Sequence, residues 1–141
     1  MFARINSMGL FGIDSYTVSV EIDCGQGIPR IELVGLPDAA VKESRDRVRA
    51  VFANLGCPFP TGKVVINLAP ASLKKVGTHY DLPILLSIMS ACGVIKRPKS
   101  SSAFLGEVSL DGQIRPISGV LPMALAAKRE GIRVLFVPAE N

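Results

Sequence analysis

The chain has no tryptophan, one histidine and three cysteines, and each shortage excludes a class of chemistry. Cys24, Cys57 and Cys92 are odd in number and widely spaced, with no CxxC pair for a metal or redox centre. They suit a reduced, cytoplasmic setting. A single imidazole with scattered carboxylates falls short of the ligand set a zinc site needs. The opening MFARINSMGLFGID lacks the basic head and long apolar run of a secretory signal. The longest uncharged apolar stretch, LPILLSIMSACGVI over 82–95, is too short to span a bilayer and suits a buried helix. No membrane partner is expected.

What is present describes a compact globular unit. The 141 residues fit one domain with a single core, and a hydrophobic content of 48% is ample to build it. The formal charge of +4 and a pI near 9.2 are compatible with an anionic partner such as nucleic acid. Charge alone does not choose between that partner and plain solubility.

Periodicity divides the chain into strands and helices. TVSVEID (17–23) alternates Val18, Val20 and Ile22 against polar neighbours, and RIELVG (30–35) resumes a strand after the turn CGQGIP, so the two are expected to form an antiparallel hairpin. In 36–58, Asp38 can cap a helix whose Val41, Val48, Phe52 and Leu55 share a face and which Gly56 ends. KVVINLAP (63–70) reads as a strand and ASLKKVGTHY as a loop. Asp81 is expected to cap a second helix that is apolar on every side and therefore central, with Pro83 tolerated in its first turn. AFLGEVSL and QIRPIS should be joined in a hairpin at Asp111-Gly112. A third helix is expected from Ser118-Gly119 to Gly131. IRVLFVP then closes as a strand whose near-continuous apolar run suits cover on both faces. Strands mixed with three main helices give an α/β (α+β) layered domain.

Few motifs carry chemistry. GCPFPTGK (56–63) resembles a phosphate loop only superficially. Five residues instead of four separate Gly56 from Gly62, two prolines remove backbone donors, and Lys63 leads into a strand. No nucleotide site is expected here. Lys42, Arg45 and Arg49 stand at i, i+3 and i+7 beside the apolar face of the first helix and could meet phosphates. Glu43 before Arg47 and Lys42 before Asp46 allow much of that charge to pair along a solvated surface instead. Lys74 and Lys75, in a loop free of acids, are the better phosphate candidates, and KRPK (96–99) reads as a soluble connector. His79, in GTHYDLP, has Ser72, Thr78 and Tyr80 near it in sequence. The ordinary reading is a loop histidine bonded to backbone ahead of a helix; a Ser-His-acid triad remains open, because triads assemble in space.

LVGLPDAAVKESRDRVRAVF (33–52) and VVINLAPASLKKVGTHYDLPI (64–84) closely resemble the amino-terminal domain of the ComM/YifB family, magnesium-chelatase-like AAA+ proteins. FLGEVSLDGQIRPISGVLPMALAAKREGIRVLFVPAEN (104–141) resembles that family and also the carboxyl half of the Lon protease domain. The resemblance implies that residues 1–141 are one Lon-protease-like (ChlI-type) domain of a longer chain. The AAA+ ATPase module of that chain is absent here, and ATP and magnesium belong to it; this stretch is expected to carry no cofactor. Lon-type proteases use a serine in a GPSAG-like stretch and a lysine in a GGxKEK-like stretch, the lysine activating the serine. Laid on those stretches, GTHYD puts His79 in the serine's place and SGVLPM puts Leu121 in the lysine's place. Leucine cannot take a proton.

The resemblance therefore implies a noncatalytic accessory domain of an ATPase that remodels DNA by branch migration in natural transformation or recombination. Its implied partners are its own AAA+ module, further copies in a hexamer, and DNA, for which Lys74, Lys75, Lys42, Arg45 and Arg49 are the candidate contacts. Two alternatives stay open. One is a divergent serine hydrolase using Ser72 or Ser118 with His79; the other is a protein-interaction module of a magnesium-chelatase-like complex.

Overall fold

The computed structural model describes the whole chain, Met1–Asn141. Strands β1 (Phe2–Phe11) and β2 (Asp14–Cys24) form a long antiparallel hairpin. Val18, Val20 and Ile22 are buried on one face as their alternation requires, opposite Ser7, Ile5 and Ala3 of β1. β1 escapes a search for bulky alternation, because two of its three inward residues there are small or polar.

The hairpin expected between β2 and β3 (Arg30–Val34) does not form. β4 (Lys63–Ala69) lies between them, antiparallel to β2 and parallel to β3. The reason lies in the long helical segment that joins β3 to β4, enough chain for the crossover a parallel pair requires. That segment holds two helices instead of one, α1 (Ala39–Lys42) and α2 (Ser44–Leu55), broken at Glu43. Asp38 caps α1 through its carboxylate, which accepts the Val41 N–H at 2.8 Å, and Gly56 closes α2 in the left-handed region at φ 68°. Val41, Val48 and Phe52 are buried, whereas Leu55 is half exposed on the last turn.

α3 (Asp81–Ala91) is the central helix that its apolar composition demands, burying Leu82, Ile84, Leu85, Ile88 and Met89. Asp81 does not cap it. Tyr80 holds the cap position, and Asp81 is the first helical residue, wholly buried. After β5 (Ser102–Phe104), the short strands β6 (Glu107–Val108) and β7 (Ile114–Arg115) pair across Asp111-Gly112 as expected. α4 (Val120–Arg129) starts after Gly119, and β8 (Val134–Phe136) runs parallel to β5.

The main sheet has the order β3-β4-β2-β1-β5-β8, so β8 is an edge. The expected cover on both its faces is missing: Val134 and Phe136 are each 48% exposed, and Leu135 alone packs inward. An edge strand has one neighbour, and α4 reaches only one of its faces. The larger core sets α2 and α3 against Val18, Val20, Ile22, Val64, Ile66 and Leu68. On the opposite face α4 packs Met123, Ala126 and Ala127 against Met8 and Leu105. The rest of that opposite face is a ladder of charge: Arg4–Glu21 at 3.2 Å, Arg30–Glu32 at 2.7 Å and Lys63–Glu32 at 3.5 Å. The result is a single α+β domain with a mixed sheet and three main helices, layered on both faces at one end and open on one face at the other.

Candidate functional site

His79 lies in the loop before α3, where Gly77 turns the chain at φ 103°. A methyl group on Gly77 would stand 3.1 Å from His79 Nδ1, so the glycine is needed both for its backbone and for its missing side chain. The ring is 4% exposed, tilts against Tyr80 with centroids 4.1 Å apart, and its Nε2 lies 2.7 Å from the Met8 carbonyl of β1. That acceptor fixes the proton on Nε2. Burial pulls the imidazole pKa below the usual histidine range, against smaller opposing pulls from the Met8 carbonyl and Asp81.

The ring borders a surface cavity of about 340 Å³ with Leu10, Val76, Thr78, Ile117 and Ser118. Ser118 and His79 therefore share a cavity, as a hydrolase would need. They are not hydrogen-bonded to each other, and the one ring nitrogen with a partner is committed to backbone. Ser72 is exposed elsewhere on the loop, outside that cavity. Leu121, 70% exposed, does not line it either.

The loop lysines separate sharply. Lys74 is exposed, but Lys75 has no exposed surface, and its ammonium donates to the carbonyls of Pro70 and Leu73. Its backbone N–H donates to Leu36 O and its carbonyl accepts the Asp38 N–H, each at 2.9 Å. Lys75 staples the loop to the segment before α1 and is withdrawn from the phosphate candidates: charged ends avoid burial unless hydrogen-bonded, and these carbonyls meet that condition. Burial lowers its pKa. Of the loop pair, Lys74 alone stays available as a phosphate candidate.

Lys42, Arg45 and Arg49 are all exposed. The break at Glu43 puts Lys42 at the end of α1 and the arginines on α2, and Arg45 Nε donates to the Lys42 carbonyl at 3.2 Å. Glu43 pairs with Arg47 at 3.5 Å, as its spacing suggests. Arg49 stands over the Phe59 ring at 5.1 Å. Arg30, not singled out by its sequence, borders with Arg45 and Arg49 a cavity of about 300 Å³ that also holds Asp46, while its guanidinium is paired with Glu32 at 2.7 Å. Only the fold could bring Arg30 there, because β3 and α2 are separated in sequence by a turn and a helix.

Sequence reasoning missed the strongest polar cluster. Arg47 grips the buried Asp81 carboxylate from two sides, Nε to Oδ2 at 2.7 Å and Nη2 to Oδ1 at 2.9 Å. Asp81 also accepts the Ser44 hydroxyl and the Val108 N–H, the latter at 3.2 Å. One carboxylate thus ties α2, α3 and β6 together. The hydrogen bond to Asp81 raises the Arg47 pKa further, which leaves it charged at every accessible pH.

Residues 20–141 match the family model described as subunit ChlI of Mg-chelatase. The chain is 45% identical over 141 residues to an uncharacterized protein of Mycobacterium tuberculosis, covering 98% of this chain and 28% of that protein. It is 36% identical over 138 residues to YifB of Escherichia coli, covering 97% and 27%, and 36% identical over 140 residues to the competence protein ComM of Haemophilus influenzae, covering 99% and 27%. A Lon protease of Aster yellows witches'-broom phytoplasma is 32% identical over 138 residues, 93% of this chain but 17% of that protein. The chain spans little more than a quarter of the length of the YifB and ComM proteins it matches.

Proposed function

The chain belongs to the family of subunit ChlI of Mg-chelatase, and from that premise we propose that it is a noncatalytic accessory domain of a longer, ComM/YifB-like AAA+ ATPase that remodels DNA. ATP and magnesium would act in the AAA+ module of the longer protein, which is also the first partner, and a ring of six copies would be the working assembly. Branch migration of DNA during natural transformation or recombination is the activity this reading assigns to the whole. The domain's share is to aid assembly or to engage DNA.

The observation that carries the noncatalytic part is the state of His79. Its bonded ring nitrogen is held by the Met8 carbonyl, its burial disfavours protonation, and Ser118 in the same cavity has no base within hydrogen-bond reach. Leu121 cannot replace the missing base. The DNA part is supported by the exposed Lys42, Arg45 and Arg49, cations suited to phosphates and without a groove-reading motif.

One specific observation favours the hydrolase reading, namely that Ser118 and His79 line one cavity. A fluorophosphonate probe separates the two. The chain is expected to remain unlabelled at saturating probe; label at Ser118 that disappears in His79→Ala would establish the hydrolase instead.

A further inference from the structure

His79 leaves one atom unused. Its Nε2 donates to the Met8 carbonyl at 2.7 Å, which makes Nδ1 a lone-pair acceptor, and Nδ1 has no hydrogen-bond partner in the protein. It is not sealed in, however: the unpartnered side-chain atoms shut away from solvent are the hydroxyls of Ser19, Tyr80 and Ser90. The residue is 4% exposed and borders no cavity but the one of about 340 Å³, so the opening of Nδ1 leads there. Gly77, on the wall of that cavity, stands in front of Nδ1, and the Cβ it lacks would come within 3.1 Å. Its absence keeps the approach clear.

The rest of the lining suits an amide. The backbone N–H groups of Val76, Gly77 and Thr78 have no acceptor in the protein, so one loop carries both free donors and a free acceptor. Leu10, Val76 and Ile117 supply aliphatic walls, and Thr78 and Ser118 add hydroxyls. No lysine, arginine, aspartate or glutamate lines the cavity. Ile117 is held in place by Asn141, whose side-chain amide accepts its N–H and donates to its carbonyl, each at 2.9 Å.

We propose that this cavity binds an uncharged, extended peptide segment, with an aliphatic side chain between Leu10, Val76 and Ile117, one backbone N–H on His79 Nδ1 and a carbonyl on the free N–H groups of residues 76–78. The ligand class follows from what each rival would leave unanswered. An anion would find no cation and would face the Nδ1 lone pair, and a cation would find no carboxylate. A plain hydrocarbon would leave Nδ1 and the loop donors unpaired. A peptide backbone answers both, and a cavity near the lower end of the roughly 300–1,000 Å³ typical of ligand clefts takes one side chain with its flanking amides. The segment is held and not cleaved, so the proposal rests on the noncatalytic reading of His79; it owes nothing to DNA engagement, which uses another face.

Nuclear magnetic resonance of the nitrogen-15-labelled chain, titrated with a capped tripeptide of leucine between two alanines, tests it. Saturable shifts should gather at residues 76–79 and 117–118, and the Nδ1 resonance of His79 should move as it accepts a hydrogen bond. The same peptide with its leucine nitrogen methylated should bind about tenfold more weakly, having no N–H to give, and the peptide with glycine in place of leucine about tenfold more weakly again through missing apolar contact. Ser118→Trp, at an exposed rim position, should fill the cavity and abolish the shifts; the two altered peptides need no variant and decide the matter even if that chain does not fold. Equal affinity for the methylated and unmethylated peptides, or no saturable shift up to the solubility limit of the peptide, overturns the site and leaves the noncatalytic reading standing. Release of cleaved peptide overturns both.

Discussion

Replacing Arg47 by alanine should be among the most destabilising single changes in the molecule. Arg47 and Asp81 meet through two hydrogen bonds at 2.7 and 2.9 Å, with the carboxylate fully buried and the arginine side chain 20% exposed. Without the guanidinium, Asp81 keeps only the Ser44 hydroxyl and the Val108 N–H. Breaking a buried pair from one side costs about 3–5 kcal/mol, because the remaining charge is stranded in the core. Domains of this kind are stable by about 5–15 kcal/mol in total, so the variant should lose a large share of its stability. Urea unfolding followed by far-UV circular dichroism suits a chain without tryptophan. The internal control is Glu43→Ala, which removes the exposed partner of the same arginine at 3.5 Å and should cost about 0.3–0.5 kcal/mol. A double variant, Arg47→Ala/Asp81→Ala, should cost less than the sum of its singles, since neither then strands a charge. An Arg47→Ala chain within about 1 kcal/mol of wild type, with an unchanged denaturant slope, would refute the clamp.

His79 makes stability depend on pH. Its folded-state pKa lies below the ordinary 6.5, so the unfolded chain takes up a proton that the folded chain refuses, and stability falls as pH drops through 6.5 toward the folded value. His79→Gln, which retains an N–H for the Met8 carbonyl, should flatten that slope in urea titrations across the same window. Lys75→Met should destabilise by about 1.5–3 kcal/mol through loss of two charged hydrogen bonds, yet leave DNA affinity where it was; Lys74→Ala should leave stability unaltered. Calorimetry should detect no ATP binding to this chain, because GCPFPTGK enters β4 as strand and offers no phosphate-cradling turn at a helix start.

Elements whose signal is local were legible in the sequence. The alternation of β2, the all-apolar α3, the Asp111-Gly112 turn and the Gly56 stop each follow from residues within a few positions of one another. The pairing of β3 with β4 is not local: it depends on where the intervening helices lie, and sequence neighbours are the wrong guide when a crossover is long enough. β8 shows the limit of hydropathy, since an apolar edge strand and an apolar central strand read alike.

The site was less legible than the fold for the same reason. Asp81 in front of an apolar run looks like a helix cap, and Arg47 four residues after Glu43 looks like half of a surface pair. The surface pair with Glu43 does form and the cap does not, and neither description reveals that the two side chains meet across α2 and α3. Lys75 is the converse case, a lysine without acidic neighbours whose partners are backbone carbonyls, which sequence patterns do not display.

Salt-dependent binding of a labelled four-way DNA junction to this chain tests the central claim most directly. If the domain engages DNA through the phosphates facing Lys42, Arg45 and Arg49, the logarithm of the binding constant should fall linearly with the logarithm of salt, by about 0.9 per phosphate neutralised, and the triple alanine variant should lose most of that slope. Absence of binding at about 50 mM salt, or an affinity indifferent to salt, would contradict the account.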